Sequence, residues 1–323
     1  MVASVWFAAP REVELREEAL PRLEPADVRV EAVASAISHG TEMLVFRGQV
    51  PAGLELDLPT LRGSFDFPIK YGYASVGRVV ECGSAVDRLE VGDHVFVHHP
   101  HQTSYVVPQT LPIRLPDGLD PMLGVFLANV ETAVNVVLDA APRLGERVVV
   151  FGQGVVGLLI TQLLNRTGVS QVDVVEPIER RRDLALSVGA DAATEAASGQ
   201  DYDLAIESSG HPAALDQALE RVAFGGTVVV SSWYGTKPVS LTLGGAFHRR
   251  RLRIVSSQVS NIDASLQPRW SNARRLALAR DLLCDLELRA LISHQIPFER
   301  AADAYRVVDS HPDQTVQVVL TYR

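Results

Sequence analysis

Cysteine is scarce. Cys82 and Cys284 are all that 323 residues carry, too few for a disulfide framework or a four-cysteine zinc site, which suits a reducing compartment. Basic residues are outnumbered 30 to 39, leaving a net charge of −9. A broad positive face for polyanions is therefore excluded, and no nucleic-acid partner is expected. Long apolar runs are missing as well. The longest, residues 148–164, is broken by glycines, Gln153, Thr161 and Gln162, so no membrane span or membrane partner is expected. The first residues lack a basic n-region and reach Arg11 early. They read as a first strand, not a secretory leader, and a cytoplasmic location is expected. Internal repeats and low-complexity segments are absent. What remains, 47% hydrophobic and 21% charged residues, is enough for two domains with full cores.

One stretch organises the rest. Arg147 to Phe151 is a short β-branched run, as a fully buried parallel strand would be. Gly152, Gly154 and Gly157 follow at G-x-G-x-x-G spacing, then Leu158, Leu159, Ile160, Leu163 and Leu164 at helical spacing. A second apolar run, Val172 to Val175, closes on Glu176, about twenty residues on, where the dinucleotide fingerprint places an acid. Each part has a job. Gly152 permits the tight turn, Gly154 lets backbone approach a pyrophosphate, and Gly157 lets helix pack on strand. The N–H groups around Val155 and Val156 take the phosphates. Glu176 can take both hydroxyls of the adenosine ribose, and its charge disfavours a 2′-phosphate. Arg180, Arg181 and Arg182 follow at once and would favour one. NAD is the expected cofactor, with NADP the alternative.

The flanks differ in period. Residues 1–35 alternate as strands do, residues 34–42 read as a loop, and 50–70 as a Pro- and Gly-bearing loop. Tyr71 to Cys82, with Gly72 and Gly77 at bends or bulges, His94 to Val97, and Tyr105 to Val107 are further strands. Many short strands between turns suggest a partly open barrel. From about residue 121 the pattern turns to helix (123–138), then alternates: helix 180–187 capped by Gly189, strand 203–207, helix 212–221, strand 227–231, strand 252–256. That alternation means a doubly wound parallel sheet, an α/β fold. A helix over 271–283 and a strand over 315–321 complete the chain. The expected domains are 1–125 with 258–323, and 126–257, with a cleft between.

The fingerprint, the run Gly72 to Val80, the turn 91–95, the pair Gly225-Gly226 before a strand and the tail 291–297 together resemble the medium-chain dehydrogenase/reductase superfamily of alcohol dehydrogenases and quinone oxidoreductases. Residues 37–42 and 246–252 are most similar to the group around bacteriochlorophyllide a dehydrogenase. The resemblance implies a GroES-like barrel domain beside a Rossmann domain, and a homodimer formed by extending the sheet. Val239, Leu241 and Leu243, alternating with Ser240 and Thr242, would supply the edge strand. It also implies cofactor contacts for His39 (pyrophosphate), Thr132 (nicotinamide), Arg181 (ribose), and Ser208, Ser209, Ser231, Ser232 and Gln258 along the nucleotide path. Trp233 and Tyr234 could wall the nicotinamide end.

Departures from the pattern are equally informative. The zinc-dependent branch has Cys where this chain has Ser38, His-Glu where it has Tyr73-Ala74, and its third ligand near Ala128. Hydroxyls are poor zinc ligands, and the structural-zinc lobe is missing, so a zinc-free member is expected. His98, His99 and His101 look metal-like, but adjacent strand residues face opposite ways, and the three read as a strand end at the rim of the cleft. Without metal, Tyr73, Glu42 and His101 are the candidates for handling the proton. The expected activity is interconversion of an alcohol and a ketone on a small organic molecule, secondary metabolites included. Conjugate reduction of an enone or quinone and non-catalytic dinucleotide binding are the alternatives.

Overall fold

The computed structural model describes every residue except Asp57, Pro59 and Arg323. The chain forms two compact units, Met1–Ala128 with Ile292–Arg323, and Asn129–Leu291.

The first unit begins with an antiparallel pair, β1 (Val2–Ala9) and β2 (Glu12–Glu18). Then come β3 (Asp27–Ile37), the short helix α1 (Thr41–Phe46), β4 (Ser75–Cys82), β5 (His94–Val97), β6 (Ser104–Pro108) and β7 (Ile113–Arg114). In β3, Val28 and Val30 are fully buried while Glu31 faces out, the period-2 signature of a half-buried strand. Gly77 sits where the β3–β4 register shifts, and a Cβ there would lie 2.4 Å from the Glu31 carbonyl oxygen, so the expected bulge has a steric cause. The expected loop over 34–42 is corrected. Ala34 to Ile37 continue β3 because they pair with the last strand of the chain, and α1 starts at Thr41.

The second unit is a parallel sheet. A 3₁₀ turn (Pro121–Phe126), capped by the Asp120 carboxylate, leads into α2 (Leu127–Ala140). The residues 121–140 are apolar and long enough to cross a membrane, and half of that stretch is buried in the protein. Strands β8 (Arg147–Phe151), β9 (Gln171–Val175), β10 (Ala192–Thr194), β11 (Tyr202–Glu207), β12 (Val222–Val230) and β13 (Arg253–Ser256) lie in the order β10-β9-β8-β11-β12-β13. This is the 3-2-1-4-5-6 order of the doubly wound fold. Helices α3 (Val155–Leu164), α4 (Glu179–Ser187), α5 (Pro212–Arg221) and α6 (Asn272–Leu282) connect and flank the strands. Local chemistry sets their ends. Ala190 N–H bonds the Ala185 carbonyl and Gly189 N–H that of Leu186, with Gly189 at φ +108, a Schellman cap on α4. Pro212 opens α5, and the Ser271 hydroxyl caps α6 through Arg274 N–H. The core packs Val149, Phe151, Ala205 and Val228 against Leu215, Ala218 and Leu219 of α5.

The chain returns to the first unit as β14 (Ile292–Pro297), α7 (Ala301–Ser310) and β15 (Gln317–Thr321); β15 runs parallel to β14 and antiparallel to β3. The larger sheet follows β14-β15-β3-β4-β5-β7, with β6 also on β3, the partly open barrel expected. The return comes at Ile292, not at residue 258. Residues 258–291 stay with the second unit because Arg275 pairs with Glu131, Arg166 with Asp285, and Glu287 N–H with the Gln162 side chain. The expected edge strand over 239–243 is not formed. That segment is irregular, Leu243 opens a single π turn, and β13 holds the edge position. Leu241 packs on the α5 core, which removes the alternation from any sheet.

Candidate active site

In the second unit β8 runs straight into the glycine turn. Gly152 adopts φ +90, and a Cβ on it would lie 2.6 Å from Ser209 Cα. A Cβ on Gly157 would lie 2.0 Å from the Gly152 carbonyl oxygen. Packing within the protein therefore demands both glycines. Gly154 differs: a Cβ there meets nothing within 4 Å, so the protein's own packing does not demand this glycine and the space beside it is open to a ligand. Gly154 also caps α3 without a side-chain hydrogen bond, which leaves N–H groups near Val155 and Val156 for an anion.

One buried carboxylate holds this turn and a second holds the loop after β11. Glu176, 3% exposed, accepts Gln153 N–H at 2.6 Å on Oε2 and Ile178 N–H at 3.0 Å on Oε1. The sequence reading gave it ribose hydroxyls alone; it is also a brace for the turn. Arg182 donates to the carbonyls of Glu176 and Pro177, while Arg181 lies half-buried on α4. Glu207, fully buried, was missed from sequence. Its Oε1 accepts Ser209 N–H (2.7 Å), Ser209 Oγ–H (2.6 Å) and Gly210 N–H (3.0 Å), and its Oε2 accepts Tyr234 O–H at 2.7 Å. Burial, reinforced by Glu207, pushes the Tyr234 phenol above its ordinary range. The one signal was an acid closing the apolar run Leu204 to Ile206. Ser231 donates to the Glu207 carbonyl and Ser232 accepts Gly210 N–H. The serines expected along the nucleotide path thus brace the strand-end loops. Ser208 follows β11, its N–H bonding the Phe151 carbonyl. Thr132 is half-buried on α2, and Gln258, exposed, pairs with Ser260 just beyond β13.

In the first unit the structure joins residues far apart in sequence. Tyr73 donates its hydroxyl to Ser38 Oγ at 2.6 Å. Glu42 Oε2 accepts Ser38 N–H at 3.1 Å, and its Oε1 pairs with His101 Nε2 at 2.8 Å and accepts a very short bond from the Tyr305 hydroxyl. His101 Nδ1 pairs with Ser35 Oγ at 2.6 Å, and Ser35 with the Tyr322 hydroxyl at 2.7 Å. Gly72, at φ +126, leaves room for this imidazole: a Cβ there would lie 2.6 Å from His101 Cδ2. His101 and Glu42 were expected to handle the proton directly, with His101 at the rim. Both side chains are 0% exposed and fully engaged, so they support the site from beneath. Tyr73, half-buried, is the least enclosed of the three. Burial, aided by the Glu42 charge and opposed by Ser38 and Thr41 hydrogen bonds, pushes its phenol up to about 12. Ser35, Thr41, Tyr305 and Tyr322 had carried no sequence signal.

The histidine run does not converge. His98 Nδ1 pairs with the Tyr73 carbonyl, and His99 stacks on Tyr105 at 3.8 Å with Nδ1 on the Pro100 carbonyl. Among the described residues no group of three or more His, Cys, Asp or Glu is placed to share a metal ion. His39 lies half-buried in the turn between β3 and α1.

A glycine turn on the switch point of a doubly wound sheet, in a chain that also builds a separate, mostly antiparallel sheet with a buried acid–histidine–tyrosine node, defines a two-domain, dinucleotide-binding protein. Residues 24–112 match the model of the alcohol dehydrogenase GroES-like domain and residues 155–279 that of the zinc-binding dehydrogenase. The chain is 31% identical over 340 residues to 2-desacetyl-2-hydroxyethyl bacteriochlorophyllide A dehydrogenase of Cereibacter sphaeroides, covering 99% of this chain and 98% of the relative. It is 29% identical over 345 residues to D-guloside 3-dehydrogenase of Escherichia coli K12, covering 97% and 98%. An Escherichia coli CFT073 alcohol dehydrogenase solved with NADH shares the fold at TM-score 0.81 and 21% identity, covering 99% of each chain. The chain belongs to the medium-chain dehydrogenase/reductase superfamily and is an NAD(P)-dependent enzyme of that type.

Proposed function

We propose that this enzyme interconverts an alcohol and a ketone on a small organic substrate, prefers NAD, and works without zinc. The observation that carries the reading is the Tyr73–Ser38 hydroxyl pair at 2.6 Å. By the resemblance, these residues and Ala128 correspond to the ligand positions of the zinc-dependent branch. Two hydroxyls and a methyl do not make a zinc donor set, so no step is derived through a metal.

The glycine turn does fit a dinucleotide. Gly152 and Gly154 would face the pyrophosphate with the N-terminus of α3, and Glu176 would meet the adenosine ribose through the lone pairs its two backbone bonds leave open. Bound nicotinamide supplies the hydride chemistry. The chain's residues deal with the oxygen. Tyr73, with its phenol raised to about 12, stays protonated at neutral pH and donates through Ser38. The pair is therefore a hydrogen-bonding site for a carbonyl oxygen, worth most where negative charge develops on that oxygen. Glu42 fixes the Ser38 backbone, and His101 and Tyr305 fix Glu42. The two relatives, a guloside dehydrogenase and a hydroxyethyl-bacteriochlorophyllide dehydrogenase by name, support oxidation of a hydroxyl-bearing molecule. The test is a panel of alcohols, glycosides, ketones and activated alkenes, followed by nicotinamide absorbance. Turnover of an alcohol–ketone pair supports the reading; turnover of alkenes alone overturns it.

A further inference from the structure

The second unit holds a polar network, buried at Glu131, Asn135 and Arg275 and half-buried at Asp139 and Ser257, that the oxygen chemistry does not use. Glu131, Asn135 and Asp139 recur every fourth residue on α2, one stripe on a helix that otherwise buries only apolar side chains, Val130, Ala133, Val134 and Val136 among them. Arg275 of α6, 2% exposed, donates through Nε and Nη2 to Glu131 Oε1 at 3.1 and 3.0 Å, and through Nη1 to Asn135 Oδ1 at 2.7 Å. Asn135 Nδ2 then donates to Asp139 Oδ2 at 2.8 Å and to Ser257 Oγ at 3.1 Å, and Ser257 donates to Asp139 Oδ2 at 2.6 Å. Ser257 N–H also bonds the Val230 carbonyl at the end of β12. The network thus locks α2, α6 and the ends of β12 and β13 into one register.

Burying an arginine–glutamate pair gains little stability over apolar packing, and apolar side chains at these positions would suit α2. What the network secures is geometry. In a 3-2-1-4-5-6 sheet a dinucleotide spans both halves at the carboxyl ends of the strands. The glycine turn after β8 takes the pyrophosphate and Glu176 after β9 takes the adenosine ribose, so the other nucleoside lies over β11 to β13. Ser257 is the first residue beyond β13. We propose that Arg275, Asn135 and Ser257 are positioning residues for the nicotinamide half of the cofactor. This rests on the nicotinamide reading of the site and adds the residues that hold its second half in place.

The test uses the full chain and two ligands, NADH and ADP-ribose, which shares the adenosine diphosphate moiety and lacks the nicotinamide. Arg275→Lys and Ser257→Ala should each weaken NADH about tenfold, the order of one charge-assisted hydrogen bond, and leave ADP-ribose within about twofold. The fluorescence of bound NADH should fall with the affinity. A general loosening of the unit would weaken both ligands together, and that result, or no change in either, overturns the proposal. Ser257 is half-buried, so Ser257→Ala keeps the test decisive if Arg275→Lys does not fold. Wild-type protein that binds neither ligand would overturn the cofactor reading, and this inference with it, before any variant is made.

Discussion

Glu176→Gln separates two roles that the structure gives to one carboxylate. The first is selection. A 2′-phosphate beside Glu176 places at least one full negative charge near another, and at roughly 5 Å and an effective dielectric near 20 that costs about 3 kcal/mol. The second is bracing, through the bonds to Gln153 N–H at 2.6 Å and Ile178 N–H at 3.0 Å. Glutamine removes the charge and keeps one acceptor oxygen, but it turns an amide NH₂ toward one of those N–H groups. Losing one charge-assisted bond costs about 1.5–3 kcal/mol, and part of it falls on the shape of the turn that both cofactors use. For NADH only the loss applies, so affinity should drop about tenfold. For NADPH the relieved repulsion offsets the loss, and affinity should hold or rise. Calorimetric titration of both cofactors against wild type and Glu176→Gln measures the difference directly. Equal weakening of the two would show that Glu176 braces without selecting. Wild-type protein binding NADPH at least about tenfold tighter would show that the arginines of α4 control the pocket.

Other consequences are as direct. Burial holds His99 down at about 4 against an ordinary 6.5. Between those values the unfolded chain binds a proton that the folded chain does not, so this contribution is intact above pH 6.5 and is lost as pH falls toward 4, by up to about 3 kcal/mol. His99→Phe keeps the stack on Tyr105 and should flatten that part of the urea-midpoint profile; an unchanged profile would place the acid sensitivity elsewhere. Gly72→Ala combines φ +126 with a 2.6 Å approach to His101 and should cost about 2–4 kcal/mol. Gly154→Ala should leave the melting temperature alone and weaken nucleotide binding; the reverse ranking would mean that the free space at Gly154 serves no ligand. A homodimer joined at β13, where Ile254 is 37% exposed, should show about twice the 35.1 kDa chain mass in light scattering at micromolar concentration. A single-chain mass would remove it.

The parallel half of the fold was legible because its signals are local. Arg147 to Phe151, the glycine spacing and Pro212 with Gly189 each state their structure within a few residues. The segment over 239–243 misled for the opposite reason: its alternation is real, but Leu241 finds a helix to pack on and never pairs. The site was legible in its parts and not in its assembly. Glu42, Tyr73 and His101 could be named from the chain, yet their contacts run to Tyr305, Ser35 and Ser38, set by the pairing of β3 with β4 and β15. No local pattern reports that two of the three are fully buried. The polar stripe on α2 went unread in the sequence, and its partner Arg275 stands on another helix far along the chain.

The central claim is that a hydroxyl pair stands in for the metal. The most direct measurement is turnover of the substrate found by the panel, on protein dialysed against chelator and checked by elemental analysis. The account predicts a rate that neither chelation nor added zinc changes, and a loss of about a hundredfold or more in kcat for Tyr73→Phe. One zinc per chain, whose removal abolishes turnover and whose return restores it, would contradict the account.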